Sequence, residues 1–161
     1  MRQPGHPLIA LLAFAFLIGC TGVKTYPNRL PKNLHIRTQV NAGPALTNAG
    51  AEFDIHRVDA GCNTHYQGRV YLDKPLVEVG IPPGEPSYLD FIFASKAFLS
   101  TTTHAVRYQT VLTPRADYEY DIQASYVKGI YNVVIRERHR GSGASRLVER
   151  KSLNDCHARR P

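Results

Sequence analysis

Tyr118-Glu119-Tyr120-Asp121-Ile122-Gln123-Ala124-Ser125-Tyr126 alternates apolar or aromatic side chains with polar ones over nine residues. Successive side chains of a strand point to opposite faces. The pattern therefore buries one face and wets the other, as in a half-buried antiparallel strand. Pro114-Arg115-Ala116-Asp117 turns the chain into this stretch, and Lys128-Gly129 turns it out again. Residues 130–138, rich in Val and Ile, then return as the second arm of a hairpin.

The same reading extends outward in both directions. Leu34, Ile36, Thr38 and Val40 alternate with His35, Arg37 and Gln39. The Gly-, Asn- and Pro-containing residues 41–50 read as a connection, and strand-like runs follow at 52–59, 66–73 and 75–81. Pro82-Pro83-Gly84 is a turn, and residues 88–98 put Leu89, Phe91 and Phe93 on one face. Further strands are expected at 106–113 and, after the Gly141-Ser142-Gly143 loop, at 146–153. No amphipathic helix is evident. About seven to nine short strands with regular turns predict an all-β, antiparallel β-sandwich. The hairpin at 118–134 resembles the closing hairpin of transthyretin-like and other immunoglobulin-like periplasmic domains.

The first twenty residues are different. Arg2 precedes an unbroken apolar stretch at 8–18. That is shorter than the roughly 20 residues a membrane-spanning helix needs, and it suits a signal-peptide core. The stretch ends in Leu17-Ile18-Gly19-Cys20, which resembles the lipobox of bacterial lipoproteins. The resemblance implies cleavage after residue 19, a diacylglyceryl group on the Cys20 sulfur, and further acylation of the freed amine. Two or three acyl chains, palmitate among them, hold a protein stably on a bilayer. Thr21, where Asp would favour inner-membrane retention, implies the outer membrane, with the domain facing the periplasm. Residues 1–19 are then the signal peptide, 20–31 the lipidated N-terminus with a Pro-containing tether, and 32–161 one domain. Roughly 140 residues are enough for a single core.

Export also frames the other cysteines. With Cys20 lipidated, Cys62 and Cys156 form an even pair, which an oxidising compartment favours as a disulfide. Two Cys with His65 and His157 nearby also suit a tetrahedral zinc site. The spacing fits no usual finger, so the disulfide is the preferred reading and no metal or cofactor is assigned.

The chain carries a formal net charge of +7. Residues 136–161 hold eight basic and three acidic side chains, so most of the surplus sits at the C-terminal end. Arg136, Arg138, Arg140, Arg146, Arg150 and Lys151 are candidates for binding an anionic envelope ligand, or else form a solvated charged hairpin. Nucleic acid is excluded as a partner by export.

No catalytic motif emerges. Glu119 and Asp121 are paired carboxylates, but a wet strand face also demands such residues. Gly141-Ser142-Gly143 is not a nucleophile elbow, and the seven histidines are scattered. The sequence leads to three expectations. The first is a structural or assembly-accessory lipoprotein that binds another envelope component. It resembles the transthyretin-like lipoprotein of type VI secretion systems in size and layout. The second is an anionic-ligand module built on the Arg-rich strands, and the last is an enzyme.

Overall fold

The computed structural model describes residues 22–41, 47–97 and 101–158. Among them, nine strands run in chain order: β1 (Leu34–Asn41), β2 (Thr47–Val58), β3 (Thr64–Tyr71), β4 (Leu76–Val79), β5 (Ser87–Ala97), β6 (His104–Leu112), β7 (Tyr118–Val127), β8 (Ile130–His139) and β9 (Ser145–Leu147). A short helix, α1 (Asn154–Ala158), ends the described chain. The strands form two sheets, ordered β4-β1-β7-β8-β9 and β3-β2-β5-β6. The architecture is the expected all-β sandwich.

The alternation in β7 is realised as read: Tyr120, Ile122, Ala124 and Tyr126 are buried. They meet Leu34 and Ile36 of β1 and the row Leu89, Phe91 and Phe93 of β5, all with no exposed surface. The rings of Phe53 and Phe91 stack 4.4 Å apart at the centre. Full burial of each such side chain contributes about 1.5–3 kcal/mol, and together they set the sheet-to-sheet packing.

Tyr120 is wholly buried, so its hydroxyl needs a partner. It accepts the Arg115 backbone N–H at 2.9 Å and also bonds Glu137. This ties the β6–β7 connection to the strand that follows it, the device known in sandwiches as a tyrosine corner. At the other end of β7, Lys128 and Gly129 both have positive φ, 51° and 81°. That is the two-residue turn whose twist matches a hairpin.

Four expectations are corrected. One pairing is parallel: β1 lies beside β7, with Leu34 opposite Tyr120 and Ile36 opposite Ile122. β2 begins at Thr47, inside the stretch read as a connection, because residues from 47 onward pair with β5. The expected strand at 146–153 stops at Leu147 and gives way to α1. Ser152 and Asp155 explain this stop. The Asp155 carboxylate accepts the Ser152 N–H at 2.7 Å, and the Ser152 hydroxyl accepts the Asn154 N–H at 3.2 Å. That reciprocal cap nucleates a helix rather than continuing a strand.

The fourth correction concerns the tether. Residues 24–31 are docked on the sandwich. Tyr26 N–H donates to the Arg69 carbonyl at 2.9 Å, and Arg69 N–H donates to the Lys24 carbonyl at 2.8 Å, adding a parallel bridge to β3. The Tyr26 hydroxyl donates to Gly80 O at 2.8 Å, beyond the end of β4. The Asn28 amide donates to Glu78 O and its carbonyl oxygen accepts Gly80 N–H, both at 2.9 Å. The segment thus closes the side of the sandwich between β3 and β4. A Cβ at Gly68 would lie 2.6 Å from the Tyr26 backbone, so glycine there is what lets the segment approach.

Candidate functional site

Cys20 lies outside the described residues. Three residues, 21–23, separate it from Lys24, the first residue docked on β3.

Cys62 and Cys156 form a disulfide with Cα atoms 5.9 Å apart, across 94 residues of chain. It fastens α1, not a last strand, to the β2–β3 turn. Asp59 shapes that turn: its carboxylate accepts Asn63 N–H at 2.9 Å, and its carbonyl accepts Cys62 N–H at 2.9 Å. Cys62 itself sits at φ 61°. Bonds from His65 and then Asn63 hold the Asp59 carboxyl well below the usual carboxylate range. Both thiols of the zinc reading are consumed by the disulfide, and the His157 side chain lies outside the described residues. Among the described residues, no group of three His, Cys, Asp or Glu is arranged to hold a metal.

The six basic residues of the C-terminal end do not form one patch. Arg138 donates to Glu119 at 2.8 Å and lies 3.8 Å from Asp121; Arg140 lies 3.5 Å from Glu119. The carboxylate pair seen in the sequence therefore neutralises arginines on the outer face of the five-stranded sheet. Arg146 is joined to Glu137. Arg150 donates to Gln109 O at 2.8 Å and lies over the Tyr108 ring, 5.2 Å from its centre. The Lys151 backbone bonds Thr110 and Val111 along the β6 edge. Arg136 makes no ion pair among the described residues. A cleft of about 370 Å³ between the β6 and β8–β9 edges is lined by Arg115, Arg146 and Lys151, but also by Glu137 and Glu149.

The structure brings together a second polar group that the sequence reading passed over. On the outer face of the four-stranded sheet, Asp54 of β2 stands directly opposite Asp90 of β5, with His56 opposite Tyr88. Arg69 grips both oxygens of Asp54, at 2.7 and 2.8 Å. Arg107 holds one oxygen of Asp90 at 2.9 Å, while Oδ1 is sealed from solvent without a partner. Burial pushes the Asp90 carboxyl up and the His56 imidazole down. The sealed oxygen is out of a substrate's reach in this conformation. The available signal was an acid inside an apolar run, Phe53-Asp54-Ile55 and Leu89-Asp90-Phe91.

The remaining feature is an open sheet edge. β9 covers β8 only at Arg136–Arg138, and Val148 N–H adds one bond to Ile135 O. Among the described residues, no strand pairs with the outer side of 130–134. The two-residue turn makes Val127 and Ile130 a hydrogen-bonded pair, so the amides of Tyr131 and Val133 point away from β7 to that open side. Ile130 is 74% exposed and Tyr131 40%, with the Tyr131 ring stacked on Phe93 at 6.1 Å. Unpaired N–H and C=O groups beside exposed apolar side chains form a template for another strand. No protein-family model matches the chain, and no curated protein or solved structure matches it either.

Proposed function

We propose that this chain is a lipid-anchored module of the bacterial envelope that binds another envelope protein by strand addition to β8. Cys20 carries the anchor on the outer membrane, the domain faces the periplasm, and the reading gives the chain no catalytic role. The observation that carries the binding role is the uncovered edge at 130–134, with Ile130 and Tyr131 standing in solvent. Main-chain bonds along such an edge supply affinity, and alternating side chains supply selectivity. The anionic-ligand reading has less support, because Glu119, Asp121 and Glu137 already engage three of its six basic residues.

A photo-crosslinking residue at Asn132, compared with one at exposed Thr64 on β3 at the opposite edge of the other sheet, tests this in intact cells. The expected result is one discrete adduct from position 132, resistant to high salt and lost when Ile130 and Tyr131 are both changed to Lys. Equal labelling from both positions would refute the edge. Loss of the adduct in salt would favour the anionic-ligand reading instead.

A further inference from the structure

The docked N-terminal segment has a consequence for how an anchored domain sits. Four Cα steps separate Cys20 from Lys24 and span at most about 14 Å. With Lys24 bonded to β3, acylation at Cys20 leaves no free tether, and the β3 side of the sandwich is drawn to the headgroups.

That side has the matching surface. Five of the eight exposed large apolar side chains among the described residues are carried by its edge segments: Val23 and Leu30 on the docked segment, Tyr66 and Tyr71 on the outer face of β3, and Leu76, opposite Arg37, on the outer face of β4. The others, Ile130, Tyr131 and Leu147, are on β8 and β9 at the opposite side. Lys24, Arg29 and Lys74 are exposed around the first group and make no ion pair among the described residues. Of the acids nearby, Asp73 and Glu85 are exposed and Glu78 is taken by His35 at 3.0 Å. Tyrosine suits the bilayer interface because one end of its ring is apolar and the other polar. Lysine and arginine beside it meet lipid phosphates.

We propose that the side running from β3 across residues 23–30 to β4 is a membrane-contact surface. Its tyrosines and aliphatic side chains enter the headgroup layer, and Lys24, Arg29 and Lys74 rest on lipid phosphates. The inference deepens the lipid-anchor reading and rests on acylation of Cys20. It turns the open β8 edge away from the bilayer, toward a partner.

The chain contains no tryptophan, so one introduced Trp is a clean reporter. Full-length acylated protein carrying Tyr71→Trp or Ile130→Trp is reconstituted in phosphatidylethanolamine–phosphatidylglycerol vesicles containing brominated lipid. Both sites are exposed, so neither variant disturbs the core. Trp at 71 is expected to be quenched severalfold more than Trp at 130. Equal quenching, or more at 130, in protein whose mass shows acyl chains on Cys20 would overturn the orientation and leave the anchor standing. An unmodified Cys20 in the mature protein would overturn the anchor and this inference together.

Discussion

Arg146 and Glu137 face each other across β9 and β8, joined Nε to Oε1, yet their side chains are 72% and 7% exposed. The carboxylate is inside the mouth of the sandwich and the guanidinium is outside it. Arg115, at 3.5 Å, and the Tyr120 hydroxyl complete the ring around the acid.

This asymmetry decides which deletion hurts more. Without Glu137, Arg146 turns to water at little cost. Without Arg146, a buried carboxylate loses its nearest cation. Arg146→Ala is therefore expected to cost about 1–3 kcal/mol, and Glu137→Gln, which keeps its shape and its bond from Tyr120, less than that. Urea unfolding of both variants checks the order, and a larger loss from Glu137→Gln would contradict it.

The disulfide closes a loop that runs from the end of β2 to α1. For a loop of 94 residues the chain-entropy model gives about 4–5 kcal/mol. Paired Cys62→Ser and Cys156→Ser substitutions should lower the urea midpoint accordingly while leaving the strand signal in circular dichroism. Unchanged stability would mean that α1 is held by its other contacts.

Lys128 occupies a left-handed conformation that L side chains other than Asn, Asp and Gly adopt reluctantly. Asn at this position followed by Gly129 is the favoured pair for such a turn. Lys128→Asn should stabilise by about 0.5–1 kcal/mol and raise Tm by a few degrees. A fall in Tm would show that Lys128 has a role beyond the turn.

Asp90 has a sign that can be tested. Its carboxyl is raised, chiefly by burial, so the folded protein favours the protonated form. That contribution to stability is complete below the ordinary value near 4 and is lost as pH rises through the raised one. Asp90→Asn removes the charge but not the shape. The variant should gain stability over the parent near pH 7 and not near pH 3. A parent that is the more stable of the two at neutral pH would show that the Arg107 pair outweighs burial.

The local pattern carried much of this protein. The period of two in 118–126, the apolar row at Leu89, Phe91 and Phe93, and the Lys128-Gly129 turn are short-range signals, and each was legible because its physics lies within a few residues. Cysteine parity named the Cys62–Cys156 pair for a similar reason, since it needs no geometry. The Ser152–Asp155 cap was equally local and was passed over in favour of a strand.

Tertiary structure alone decided what lies beside what. That β1 runs parallel to β7, that Lys24 and Tyr26 close onto Arg69, and that Asp54 meets Asp90 are all pairings between segments far apart in the chain. A strand's alternation says which way its side chains point and nothing about the neighbour they meet. Registers across such separations are set by the one arrangement that buries both apolar faces together, and the free edge of β8 is what that arrangement leaves over.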